Sequence, residues 1–153
     1  MAAARPQKGA LVQRDRDHVA AQARAFLPDT ARRRTEITTR DYTFVSDEPH
    51  SGKPGEGPTP TEYLLMALAS CTAQTLRQYI DYKVDYAGDI TVVIKYHEPE
   101  EEGAERYLER TIVLSEEPDP DDLAVMHDIA EKSPVTLLIQ FAFSVRTTFV
   151  PGR

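Results

Sequence analysis

The stretch Gly57-Pro58-Thr59-Pro60-Thr61-Glu62-Tyr63-Leu64-Leu65-Met66-Ala67-Leu68-Ala69-Ser70-Cys71-Thr72-Ala73 decides how this chain folds. Thr59-Pro60-Thr61-Glu62 is a capping box: a threonine hydroxyl for the N3 amide, proline where no donor is needed, and a glutamate that reaches back to the amide of the cap. From Tyr63 to Ala73 the helix so started is apolar on nearly every face, and Leu76, Tyr79 and Ile80 continue as a stripe. A helix apolar all round is buried on all sides, and this one is too short for the about 20 residues that span a bilayer. It reads as a central core helix. A domain this small has few layers to wrap around it, so full burial calls for a second subunit.

Upstream, Asp47 to Pro60 holds four prolines and three glycines in fourteen residues and reads as loop. Before it, Thr35–Thr39 and Tyr42–Ser46 suit two short strands joined by a turn at Arg40-Asp41. Residues 1–30 form an appended arm, in which Asp17–Leu27 suits one short helix with Val19, Ala23, Phe26 and Leu27 along one side. Downstream, Ile90–His97 and Glu109–Ser115 alternate as strands, the latter with Ile112 and Leu114 on one face. The acidic cluster between them (Glu98, Glu100, Glu101, Glu102, Glu105) reads as a solvated hairpin loop. Asp121–Lys132 is a second helix with Leu123, Met126, Ile129 and Ala130 facing inward. Ser133-Pro134 breaks it and suits the cap of a further turn. Ile139–Val150 is expected as a long strand with Phe141, Phe143, Val145 and Phe149 on one face. The order of elements gives an α+β fold with a mainly antiparallel sheet, in one domain over 31–153.

At 153 residues the chain has the size of one domain, and 41% hydrophobic with 28% charged residues is a globular composition. Twenty-five acidic against eighteen basic residues give a formal charge of -7, which repels phosphate backbones and anionic membranes, so neither is an expected partner. The run Arg32-Arg33-Arg34 reads as a solvated strand edge. No apolar leader or spanning segment is present, and a cytoplasmic protein is expected. His18, His50, His97 and His127 show no metal-ligand spacing, and neither a metal nor another cofactor is expected. The lone Cys71 forms no intrachain disulfide.

The stretch quoted above, with Asp47-Glu48-Pro49 before it and Gln74-Thr75-Leu76-Arg77 after it, resembles the first motif of the OsmC/Ohr hydroperoxide-reductase family, a GPTPxELLLAALASCTA pattern. Ala130-Glu131-Lys132-Ser133-Pro134-Val135 is similar to the second, AxxCPV. The resemblance covers residues 31–150. It implies an intertwined homodimer whose sheets wrap a pair of central helices, and reduction of organic hydroperoxides by a peroxidatic cysteine at Cys71. Such an attack needs the thiolate. Cys71 lies about nine residues inside its helix, beyond the reach of the N-terminal dipole, so the activating charge comes from elsewhere.

In the family that charge is an arginine from the N-terminal strand region, steadied by a glutamate near the start of the cysteine helix. Arg40 is chosen for the first, with Arg32, Arg33, Arg34 and Arg77 as alternatives, and Glu62 matches the second. Nine residues at about 100° and 1.5 Å each put Glu62 and Cys71 on opposite helix faces, ~13 Å apart along the axis. Glu62 therefore serves Cys71 only across a subunit boundary, or is no more than the capping-box acceptor. Leu65, Met66 and Leu68 are the expected lining of a hydrocarbon entrance that selects organic over hydrogen peroxide.

The chain departs from the family at two places. Ser133 stands where the resolving cysteine would be, and Thr136 replaces a histidine that often follows. A sulfenic acid at Cys71 then has no internal thiol to condense with and needs an external thiol reductant. Ser133 before Pro134 also suits a plain helix N-cap. Two functions stay open: a one-cysteine hydroperoxide reductase, and a non-catalytic dimer that binds a small hydrophobic ligand. Thiol transfer without a histidine base ranks behind both.

Overall fold

The computed structural model describes residues 19–28, 33–141 and 144–150. Its elements divide into two compact units, one ending at Pro58 and one beginning at Thr59. No described helix is long and apolar enough to cross a membrane.

In the first unit three strands, β1 (Arg24–Phe26), β2 (Thr35–Thr39) and β3 (Tyr42–Ser46), form an antiparallel sheet in the order β1-β2-β3. β2 and β3 have the limits read from the sequence, with Thr39 opposite Tyr42 across a turn in which Arg40 takes a left-handed φ of 50°. The helix expected over Asp17–Leu27 is corrected. Asp17 and His18 lie outside the described residues, Val19–Ala23 has no regular structure, and Arg24–Phe26 pairs with β2 as Arg24↔Thr38, Ala25↔Ile37 and Phe26↔Glu36. The open edge of β2 offers this segment backbone partners, and the Thr39 hydroxyl adds a bond to the Gln22 carbonyl at 2.9 Å. An isolated helix of about three turns has no comparable gain.

The Asp47–Pro58 loop closes on itself. The Asp47 amide donates to the Pro58 carbonyl at 3.2 Å, and its Oδ2 accepts from the Glu56 amide at 3.0 Å. At Gly57 a Cβ would run into the Val45 carbonyl, so the chain there has no room for a side chain. Two of the basic residues upstream are paired within this unit: Arg33 with Glu48 at 3.2 Å and Arg34 with Glu56 at 2.6 Å. Arg32 lies outside the described residues.

The second unit begins with α1 (Pro60–Lys83), whose capping box is complete: the Glu62 amide donates to Thr59 Oγ1 at 3.2 Å, and the Thr59 amide to Glu62 Oε2 at 2.7 Å. A hairpin of β4 (Ile90–His97) and β5 (Tyr107–Leu114) follows in the register Ile90↔Leu114 to His97↔Tyr107. Then come α2 (Pro120–Glu131), capped by Asp119, and α3 (Pro134–Gln140). The core holds Leu76 and Ile80 of α1, Tyr86, and Met126, Ile129 and Ala130 of α2, with Ile90, Ile112 and Leu114 of the hairpin against them.

Two expectations change here. In the single chain α1 buries one stripe, Leu68, Thr72, Leu76 and Ile80, spaced by four residues as one helix face requires. Leu64, Met66, Tyr79 and Tyr82 face outward. The long strand over Ile139–Val150 is not formed: Ile139 and Gln140 close α3, and residues 144–150 have no regular structure, with Val145 88% and Phe149 95% exposed. Phe143 lies outside the described residues. Alternating apolar residues make a strand only where a neighbouring edge accepts their backbone bonds. No described strand of this chain pairs with the segment.

Candidate functional site

Cys71 is the free, partly buried thiol of the fourth turn of α1. Its Sγ lies 3.9 Å from the Thr75 hydroxyl one turn on, and it accepts the Val135 N–H from the first turn of α3 at 3.5 Å. The loop between α2 and α3 thus delivers a backbone donor to the sulfur from 64 residues away in sequence.

Ser133 occupies the N-cap position of α3 as expected, but its side chain makes no capping bond. Fully buried, it bonds Thr136 Oγ1 at 2.6 Å instead. Thr136 in turn meets the Ala130 carbonyl at 3.3 Å and the guanidinium of Arg110 at 2.8 Å. Arg110 Nη1 also donates to Thr72 Oγ1 at 3.2 Å, and Nη2 pairs with Glu131 at 2.6 Å. Its side chain is only 13% exposed.

Arg110 is the residue that sequence reading missed. A signal was present: in β5, Leu108, Arg110, Ile112 and Leu114 fall on one face, so the alternation places an arginine in an inward row. Arg77, one of the alternatives weighed for the activating cation, donates to the Gly88 carbonyl at 2.5 Å. Arg40 belongs to the first unit, where its guanidinium lies 5.1 Å from the centre of the Tyr42 ring. Glu62 is engaged by the cap of α1.

Beside Arg110 and Thr136 opens a cavity of about 620 Å³, lined also by Leu68, Tyr96, Leu108 and Ile139. Of the three residues expected to line a substrate entrance, Leu68 faces it. Leu65 is half-buried and Met66 exposed, and neither reaches this lining.

A second polar cluster lies on the outer row of the hairpin. Glu109 accepts from Lys95 at 3.4 Å and sits 2.9 Å from His97 Nε2, while His97 stacks on Tyr107 with ring centres 4.6 Å apart. The hydrogen bond from Lys95, followed by that from His97, holds the Glu109 carboxyl below its ordinary value of 4.5. A carboxyl with a lowered folded value contributes stability above the unfolded one and loses it as pH falls through the folded one. Acid titration of stability below about pH 4.5 is therefore expected to be shallower in Glu109→Gln than in the parent, a difference that denaturant midpoints at pH 3 to 5 would measure. Among the described residues, no group of His, Cys, Asp and Glu is arranged to hold a metal ion.

The model of the OsmC-like protein family matches residues 52–148, which include Cys71, Arg110 and Ser133. The chain belongs to the OsmC-like family. No curated protein matches it in sequence. Among solved structures, this OsmC-like chain is similar to a putative osmotic stress induced and detoxification response protein from Psychrobacter arcticus, with 19% identity over 80% of this chain and 90% of the other at a TM-score of 0.60. It is similar to an OsmC like protein from Mycoplasma pneumoniae (15% identity, 78% and 86% covered, TM-score 0.60). The organic hydroperoxide resistance protein OhrB of Bacillus subtilis also matches (17% identity, 80% and 91% covered, TM-score 0.52). At these identities the likeness speaks for the OsmC-like fold.

Proposed function

We propose that this OsmC-like chain is a one-cysteine reductase of organic hydroperoxides. The observation that carries the reading is the setting of Cys71, a half-buried cysteine whose sulfur is met by the Val135 amide at 3.5 Å, in a chain whose structural neighbours include organic hydroperoxide resistance proteins. The Cys71 thiolate attacks the terminal oxygen of R–O–OH, the O–O bond breaks, and the alkoxide leaves and takes a solvent proton as ROH. Sulfur is oxidised to the sulfenic acid. An external thiol then attacks that sulfur with loss of water, and a second thiol resolves the mixed disulfide, releasing the oxidised reductant and the Cys71 thiol. Both thiols come from outside, because Ser133 carries no sulfur and its hydroxyl is tied to Thr136. A cytoplasmic setting suits this cycle, since small thiols are kept reduced there.

The same reading includes a homodimer. Leu64, Met66, Tyr79 and Tyr82 on α1, with Val145, Phe149 and Val150 in the last described segment, are apolar surface that a single chain leaves in water. In that dimer Arg40 is assigned as the cation that steadies the Cys71 thiolate and Glu62 as its carboxylate partner, each acting across the subunit boundary.

A second reading draws support from the cavity beside Arg110: a dimer that binds a small hydrophobic molecule with no chemistry at Cys71. Loss of cumene hydroperoxide in the presence of excess monothiol separates the two. The reductase reading expects loss in proportion to protein concentration. Loss no faster than the thiol blank, with a hydrophobic ligand still bound, favours the second.

A further inference from the structure

We infer that Arg110 is a positioning residue for the Cys71 site, holding α1 and α3 together so that the Val135 amide stays on the sulfur. The inference rests on the reading of Cys71 as the reacting group.

Arg110 projects from β5 and is bonded to all three helices of its unit: to Thr72 on α1, to Thr136 on α3 and to Glu131 on α2. Thr72 is the residue after Cys71, and Thr136 is the residue after Val135. One guanidinium therefore fixes the immediate neighbour of each partner in the 3.5 Å amide–sulfur contact. The planar fork of arginine suits this task, since two of its nitrogens reach three acceptors in fixed directions.

The hydroxyls it bonds each meet a further partner. Arg110 only donates, so Thr136 Oγ1 accepts from it, and the same oxygen also meets Ser133 Oγ at 2.6 Å and the Ala130 carbonyl at 3.3 Å. Either hydroxyl can donate in the 2.6 Å bond between Ser133 and Thr136. Thr72 donates to the Leu68 carbonyl at 2.8 Å and accepts from Arg110. A buried network with every member satisfied keeps one geometry. Glu131 offsets the charge of Arg110, which leaves Arg110 acting through geometry. The serine at position 133 belongs to the same device, since its hydroxyl supplies a bond that the network uses.

The test compares Thr136→Val, which keeps shape and removes the hydroxyl, with Thr136→Ser, which keeps the hydroxyl, and with Arg110→Lys. The readouts are the rates of Cys71 with iodoacetamide and with cumene hydroperoxide, and the amide resonance of Val135. Thr136→Val and Arg110→Lys are expected to slow Cys71 by roughly tenfold, the scale of one lost hydrogen bond to a charged group. Both are expected to move the Val135 resonance, and Thr136→Ser to restore rate and resonance. Should Thr136→Val not fold, Thr72→Val cuts the other arm. Folded Thr136→Val and Arg110→Lys proteins with parental rates and an unmoved Val135 resonance would overturn the inference. If the parent reacts with iodoacetamide and not with peroxide, the reductase reading fails, and the alkylation series still decides the role of Arg110.

Discussion

Thiol-driven consumption of organic hydroperoxide is expected to fall at least ~10³-fold in Cys71→Ser, the scale on which removal of a nucleophile acts. No other cysteine exists in the chain to take over. A serine hydroxyl stays protonated at neutral pH and does not displace alcohol from a peroxide. The fold has little reason to change, because serine is close to cysteine in size and keeps a polar atom on the side of the Val135 amide. Peroxide consumption measured beside thermal unfolding checks both halves. Turnover within tenfold of the parent would mean that the chemistry is elsewhere.

The largest stability effect is expected at Leu76. It is fully buried, in the cluster that joins α1 to α2 through Ile80, Met126, Ile129 and Ala130. Leu76→Ala removes buried methyl and methylene groups and leaves a cavity that the β4–β5 hairpin fills only in part, for a cost of about 3 kcal/mol. In a protein of this size that lowers Tm by about 10 °C, which calorimetry or a urea midpoint reads directly. A loss under about 1 kcal/mol would show that the core closes over the missing side chain.

The parts of this molecule that sequence alone revealed are those whose physics is local. The α1 cap needs four consecutive residues, and Thr59, Pro60 and Glu62 are in place to form it. The β2–β3 turn at Arg40-Asp41 and the paired alternation of β4 and β5 are of the same kind. Segments whose state depends on a distant neighbour were read wrongly. Arg24–Phe26 is a strand because β2 presents a free edge, and residues 144–150 stay irregular although their pattern suits a strand, because no described edge pairs with them.

The candidate site divides in the same way. Cys71 was legible from the motif around it, and Ser133 from the one that follows. The Val135 amide and Arg110 were not. Their roles depend on how the loop after α2 and the register of β5 place them, and a backbone donor has no residue type to betray it. Ser133 shows the limit of local reading most clearly. It has the N-cap position, yet its hydroxyl goes to Thr136, where a side-chain partner competes with the amide that a cap would use.

Treatment of the reduced protein with one equivalent of cumene hydroperoxide in the presence of dimedone, followed by peptide mass mapping, tests the reductase reading at its chemical step. A sulfenic acid adduct on the Cys71 peptide, formed before any thiol is added, is the result expected here. A Cys71 that stays unmodified by peroxide and dimedone while iodoacetamide still alkylates it would contradict that reading.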